Sequence, residues 1–373
     1  MHSPLDFETK NIIEQTLRRF LVDCYDPAAR HARLKAGKVD YLRDWALLAE
    51  LGVLGLPFGE DLGGLGGAAI DVADAIRVLA GGLVLEPFIE SAVVAGALLA
   101  KGADARRRVE AVSALVAGDE VTVLMGTAPR CSEVCCSPVP GGYQLAGKFK
   151  VVPYGCQADN WLVVALDEAA QPHVFLVPAS SREEDRVTSE YRLMDSRPAT
   201  DVDVSGMFVS EQALWLKGDS ARIALRYAGL RAASAYCADA VGVMENLLEI
   251  TGEYLRTRIQ FGAVLGSFQA LQHRYANMYM ELSEARAVAR HFAASLDTEP
   301  EDRQLWLRFA AVSVIERAAR LVGQDAIQLH GGMGVTDELI VSHYNARLMV
   351  ILTFLRHWVS LDSYVRGECP SVA

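Results

Sequence analysis

The sequence predicts an α+β protein with an N-terminal helical domain, a middle β-domain and a C-terminal four-helix bundle. Three observations predict it. Helical periodicity fills roughly the first third of the chain, runs rich in β-branched residues begin near Asp119, and helical periodicity returns at Ser220 and persists. Helices, then strands, then helices is a segregated order. It lacks the βαβ alternation of a doubly wound nucleotide-binding fold. The expected boundaries are residues 1–115, 116–215 and 216–373.

In the first domain, Leu47, Leu48, Leu51 and Leu54 fall at i, i+1, i+4 and i+7, the stripe of one buried helix face. Pro57 and the Gly63–Gly67 cluster break the chain, and a second apolar helix is expected from Ala68 to about Leu79. Within that cluster Gly64-Leu65-Gly66-Gly67-Ala68-Ala69 imitates a nucleotide-binding loop, but such a loop needs a strand before it. A helix and Pro57 precede it here, so a tight interhelical turn is expected.

The β-domain is read from Val121–Met125, Tyr143–Leu145, Phe149–Val152, Trp161–Ala165 and His173–Val177, with Gly141-Gly142 as a hairpin turn and Val202, Val204 and Val209 closing the section. The bundle is read as one long amphipathic helix from Ser220 to about Arg258, marked by Leu225, Leu230, Tyr236, Val243, Leu247 and Tyr254. Helices over about 267–296, 303–330 and 345–366 complete it.

A chain of 373 residues can bury a large core. A net charge of −11, with no basic face evident, argues against nucleic-acid binding. The N-terminus shows no basic flank or apolar signal core, and charges or glycines interrupt every apolar stretch before membrane-spanning length, so no membrane association is expected. Seven cysteines, an odd number without framework spacing, suggest reduced thiols and a cytoplasmic location. Cys131-x-x-x-Cys135-Cys136 is the only cysteine cluster, and no further ligands follow at metal-binding spacing, so no metal is expected.

Two short blocks carry the functional signal. Arg258-Ile259-Gln260-Phe261-Gly262 ends the long helix, and Gln328-Leu329-His330-Gly331-Gly332-Met333-Gly334 follows 70 residues after its start. Arginine presents a planar fork suited to a pyrophosphate, and glycine lets a ligand approach the backbone. Taken alone, the first block is also an ordinary helix C-terminus, and a single histidine is more often structural than catalytic.

R-x-x-F-G followed at this separation by Q-x-H-G-G-x-G resembles the FAD-dependent acyl-CoA dehydrogenase family. Leu51–Pro57 with Gly63-Gly64 is similar to the family's N-terminal domain, so the resemblance covers essentially the whole chain. Gly332–Leu339 with His343-Tyr344 looks most like the smaller subunits of heteromeric members, such as the pimeloyl-CoA dehydrogenase small subunit. The resemblance implies FAD as cofactor, an acyl-CoA substrate oxidised to its 2,3-enoyl form, and an electron-transfer flavoprotein as acceptor. It implies that Arg258, Phe261, Gln269, Gln328, Gly331 and Gly332 bind FAD, reaching across an interface into a neighbour's flavin site.

The base that removes the α-proton is not found. The family keeps a glutamate about twenty-three residues beyond the Gly-Gly pair or on the long bundle helix. The corresponding positions here are Phe354-Leu355-Arg356 and Ala232, with Gly242 on the family's helix glycine, and no catalytic residue is assigned. The flavin-facing segment also departs, because Val151 and Pro153 stand at the family's Trp and hydroxyl positions and proline donates no hydrogen bond. The acid-rich loop expected near residues 125–129 is missing as well.

The losses are one-sided, and they lead to the expectation of a base-lacking subunit sharing its FAD site with a homologous catalytic subunit. Three other readings stay open. One is a self-sufficient dehydrogenase whose base is Asp337, Glu338 or Asp239. Another is a flavin-dependent monooxygenase on the same fold, and the last is a structural partner without cofactor. The acyl group is expected to be bulky or dicarboxylic, by analogy with a steroid side chain or pimeloyl thioester.

Overall fold

The computed structural model describes residues 4–37, 39–126, 134–181 and 186–365, with only the backbone at 181 and 357–365. Helices α1 (Phe7–Cys24) and α2 (Pro27–Lys35) start on aspartate caps. Asp6 accepts from the Thr9 amide, and Asp26 accepts from Ala28 and Ala29 ahead of a proline in the first turn. α3 is short (Trp45–Glu50). Gly52, at φ +75°, ends it, so the leucine stripe is not one continuous helix. Leu54 is buried in a separate 3-10 turn, Val53–Gly55.

The Gly63–Gly67 segment is a turn between this region and α4 (Ala69–Ala80), with no strand before it. A π-helical segment, Phe88–Ala95, runs into α5 (Gly96–Leu99), and α6 (Ala105–Ala117) closes the region.

The strands are β1 (Thr122–Met125), β2 (Cys135–Val139), β3 (Gly142–Ala146), β4 (Lys148–Pro153), β5 (Asn160–Leu166), β6 (Pro172–Pro178), β7 (Val187–Arg192), β8 (Pro198–Asp203), β9 (Phe208–Ser210) and β10 (Leu214–Lys217). One sheet has the order β10-β6-β5-β2-β3-β9, with β1 parallel to β5. The other is β4-β8-β7.

β2 was missed by the sequence reading because it contains two cysteines and a proline and is not a β-branched run. β7 was missed because its residues, Val-Thr-Ser-Glu-Tyr-Arg, are mostly polar and exposed. On β2, Cys135 is exposed and Cys136 buried, as alternation along a strand requires. The two thiols therefore face opposite sides. Cys131 and residues 127–129 lie outside the described residues.

The bundle consists of α7 (Gly218–Thr257), α8 (Gln269–Thr298), α9 (Glu301–His330) and α10 (Ile340–Val365). α10 starts five residues before the expected Asn345. α7, 40 residues and about 60 Å long, packs against α4, α8, α9 and α10. It approaches α4 closely because residue 242 is glycine: a Cβ there would stand 2.2 Å from the Arg77 carbonyl oxygen. Among the described residues no helix is long and apolar enough to cross a membrane.

Candidate functional site

The six residues expected to contact FAD gather at one end of the bundle. Tyr254, one turn before Arg258, packs on His330, two residues after Gln328, with ring centroids 4.4 Å apart. Arg274 on α8 pairs with Asp325 on α9 at 3.2 Å, which sets Gln269 at the start of α8 beside the end of α9.

Between α7 and α8 runs a two-stranded hairpin, β11 (Ile259–Gln260) and β12 (Ala263–Val264), closed by the Arg258 carbonyl accepting from the Leu265 amide. Phe261 sits at its tip with φ +55° and is 91% exposed. A phenylalanine held in the left-handed region with its ring in solvent is strained and unburied at once, a combination found where a ligand or partner is met.

Arg258, Gln269, Gln328, Gly331 and Gly332 are all exposed, and among the described residues no hydrogen bond or ion pair engages the side chains of Arg258, Gln269 or Gln328. Gly331 has φ +61° and ψ −142°, a conformation open essentially to glycine alone, and a Cβ on Gly331 or Gly332 would meet nothing within 4 Å. This end of the bundle therefore presents an unpaired guanidinium, two unpaired amides and an open glycine backbone. That donor set fits the adenosine–pyrophosphate half of FAD.

His330 has a different role. It is buried, its Nδ1 lies 2.8 Å from the Ala326 carbonyl oxygen, and burial lowers its pKa against the raising effect of that bond. It packs the helix end against Tyr254.

The positions where a base would be sought meet elsewhere, in the interior between the three regions. Ala232, Tyr236 and Asp239 lie at i, i+4 and i+7 on one face of α7, and Arg347 and Phe354 lie seven apart on the facing side of α10. All are buried. Phe354 stacks on Tyr236, and the Arg197 guanidinium lies over the Phe354 ring, 5.7 Å from its centroid. Leu355 is fully buried, while Arg356 turns outward to pair with Glu316 at 2.7 Å.

An ionic network closes the same space. Arg197, from the β7–β8 loop, pairs with Asp195 at 2.6 Å and with Glu90 of the π-helical segment at 2.5 Å. Arg347 bridges Asp195 at 3.0 Å and Asp239 at 2.7 Å. Tyr236 donates to Glu90 at 3.1 Å. Burial would raise the Asp195 pKa, but Arg197 and Arg347 outweigh it and hold the carboxyl below its ordinary range. Asp239 is thus held in an ion pair. Asp337 and Glu338 are both exposed.

The cavity beside this network, between Ile76, Val84, Glu90, Asp239 and Arg347, measures about 20 Å³, room for about one water molecule. A cavity of about 750 Å³ lies between α6 and the β9–β10 edge, lined by Arg107, Glu120, Phe208 and Trp215 among others. It shares no lining residue with either set above.

The segment around β4 is closed too. Val151, at φ +56°, donates its amide to Asp201. Pro153 is buried, and Tyr154 reaches into the N-terminal region to donate to the Leu85 carbonyl at 2.6 Å. The network residues Glu90, Asp195, Arg197 and Arg347 escaped the sequence reading. They are far apart in the chain, and no spacing marks them.

Comparison with known proteins agrees with this architecture. Residues 8–119 match the acyl-CoA dehydrogenase N-terminal domain and residues 230–353 the acyl-CoA dehydrogenase C-terminal domain. The chain is 27% identical over 336 residues to the acyl-CoA dehydrogenase IpdE2 of Mycobacterium tuberculosis, covering 89% of this chain and 88% of that one. Its fold matches a chain of the ChsE4-ChsE5 complex from Mycobacterium tuberculosis with a TM-score of 0.84 at 22% identity, over 98% of this chain and 99% of that one. It matches the Tcur3481-Tcur3483 steroid ACAD with a TM-score of 0.82 at 22% identity, over 97% and 98%. The chain is an oxidoreductase-type flavoprotein whose cofactor is FAD, and it belongs to the acyl-CoA dehydrogenase family.

Proposed function

We propose that this chain is the base-lacking subunit of a heteromeric acyl-CoA dehydrogenase. Arg258, Phe261, Gln269, Gln328, Gly331 and Gly332 would hold the adenosine–pyrophosphate part of an FAD whose ring lies in a homologous partner subunit, and that partner would supply the glutamate. One observation carries the reading. Both positions where the family keeps its base, Ala232 and Phe354, open into an interior filled by the Tyr236–Phe354 stack and the Arg197–Asp195–Arg347–Asp239 network, while the FAD-facing end of the bundle is exposed and unpaired.

α,β-Dehydrogenation needs a carboxylate within hydrogen-bond reach of the α-proton and room for the acyl chain beside it. Asp239 has neither, being tied to Arg347 next to a water-sized cavity. The FAD held by the bundle-end residues would supply the hydride acceptor for the β-hydrogen. In this reading the chain's own residues orient the cofactor and contribute no proton acceptor.

A shared site between similar but unequal subunits is a departure from a symmetric homo-oligomer that keeps one competent site per pair. The ChsE4-ChsE5 structural neighbour is by its name a complex of two different chains, which supports a heteromer. The steroid ACAD neighbour favours a bulky acyl-CoA as the substrate of the assembly, with an electron-transfer flavoprotein as acceptor.

The test is to purify the chain alone and co-expressed with a homologous subunit that carries the glutamate. Flavin content and turnover of a bulky acyl-CoA are then measured. Little of either in the lone chain, and both in a co-purifying complex, is expected. Stoichiometric FAD with turnover in the lone chain overturns the proposal.

A further inference from the structure

Outside both sets of residues, three side chains capable of binding metal converge, His31 from the N-terminal region and Asp337 and His343 from around the start of α10. His31 lies on α2, Asp337 in the turn before α10, and His343 in the first turn of α10. One ligand atom of each lies within 4.8 Å of the other two. The two imidazole rings stand edge to face, 5.8 Å between centroids, at an interplanar angle of 80°. The His343 Nε2 lies 3.3 Å from an Asp337 carboxylate oxygen and 2.9 Å from the Asp337 carbonyl. Both histidines are half-buried and Asp337 is exposed, so the ligand set is anchored on two helices and opens to solvent on its carboxylate side.

We infer that His31, Asp337 and His343 form a site for a divalent transition metal of the zinc type. Two imidazole nitrogens and one carboxylate make the mixed N/O set that such ions take, with water completing the tetrahedron. Ligand distances of about 2.0–2.2 Å require the three atoms to close by roughly an ångström from their present separations. Asp337 can supply that movement, since it stands in solvent at the end of a turn. The oxygen-only, six- to eight-ligand preference of calcium and magnesium does not match two histidines.

The surroundings are held independently of any ion. Arg30, next to His31, donates its Nε to the Leu83 carbonyl at 3.2 Å, and Tyr344, next to His343, donates to the Gly81 carbonyl. α2 and the start of α10 are therefore fixed on the same loop after α4, and the two histidines face each other across it with little freedom to separate. Preorganisation of this kind favours binding, because little side-chain entropy remains to be lost.

Two contacts oppose it. His343 Nε2 donates to the Asp337 carbonyl at 2.9 Å, a bond that ligation through Nε2 must break and that the movement of the Asp337 turn would release. Arg30 Nη1 lies 3.4 Å from the His343 Nδ1. A metal on Nε2 leaves a proton on Nδ1, so this contact must open, but at 3.4 Å it is at the long limit of a hydrogen bond.

The three residues lie at positions 31, 337 and 343, a spacing that gives no local motif. The site therefore departs from the expectation of no metal, which was drawn from cysteine spacing. It stands whichever subunit role the bundle end has.

The experiment is titration of the metal-free full chain with Zn2+ against a chromophoric chelator, followed by Co2+ and its visible absorption. One Zn2+ per chain is expected, with a four- or five-coordinate Co2+ spectrum lacking thiolate charge-transfer bands. His31→Ala and Asp337→Asn should each weaken binding at least ten-fold. Asp337→Asn alters an exposed side chain only and keeps the test informative if the histidine variant fails to fold. Absence of stoichiometric binding, binding unchanged in Asp337→Asn, or a thiolate Co2+ spectrum overturns the assignment.

Discussion

Tyr236 on α7 and Phe354 on α10 form an offset parallel stack, with ring centroids 5.7 Å apart and planes within 7° of parallel. The pair occupies the ground between the two positions from which family members project their base. A carboxylate added there would enter a packed interior, not a substrate chamber.

Truncating that stack should be costly to the fold and silent in the chemistry. Phe354→Ala is expected to destabilise the chain by about 3–5 kcal/mol, the usual loss for a large buried ring. Turnover per folded heteromer should stay unchanged. Denaturant unfolding and activity normalised to folded complex check this together.

Restoring a glutamate should not restore a site. Ala232→Glu places an ionisable group at a fully buried position one turn before Tyr236 on the same face of α7. The expected outcome is a less stable chain that still shows no acyl-CoA dehydrogenation by itself, read by thermal unfolding and an anaerobic dye-reduction assay.

Arg347 holds two buried carboxylates, so its removal leaves both without their shared cation. Arg347→Met is expected to cost about 3–5 kcal/mol. Adding Asp239→Asn should recover part of that loss, because Asp239 is the carboxylate left without a cation while Asp195 keeps Arg197. A double-mutant cycle by chemical denaturation measures the recovery, and additive losses would count against the coupling.

Acidification should destabilise the chain through His330. Burial lowers its folded-state pKa below the ordinary histidine value near 6.5. The unfolded chain therefore binds more protons than the folded one between the two values, and stability falls as pH drops below about 6.5. His330→Gln should flatten the melting temperature between roughly pH 7 and the folded-state value. Asp195 acts at lower pH. Its pKa is held below the carboxylate range, so its contribution is present above about pH 4 and is lost as pH falls further.

Arg258 should matter for cofactor and little for fold. It is exposed and unpaired in the chain alone, so Arg258→Ala is expected to leave the melting temperature of the lone chain nearly unchanged. It should also weaken FAD retention in the heteromer by ten-fold or more. Flavin released on gel filtration measures the second effect.

Much of this protein could be read along the chain. The β-rich middle between two helical regions follows from hydrophobic period, and α7, α8 and α9 were legible because long amphipathic helices repeat their signal over many turns. The Arg258–Gly262 and Gln328–Gly334 blocks were legible because their residues are neighbours in sequence. So was the absence of a glutamate at residues 232 and 354, since absence at a fixed count from a motif needs no coordinates.

Local continuity also set the limits. The leucine stripe suggested one helix, but Gly52 turns the chain after Glu50, a backbone event that periodicity does not register. β7 was invisible because a polar, exposed strand carries no alternation to read.

Only the tertiary structure decided what fills the space behind residues 232 and 354, and which distant residues meet beside α10. Glu90, Asp195, Arg197, Asp239 and Arg347, like His31, Asp337 and His343, come from separate elements brought together by packing. A buried ion pair forms where burial leaves two charges no other partner, and a ligand set forms where helices cross. Both are properties of three-dimensional proximity, which composition and spacing along the chain do not encode.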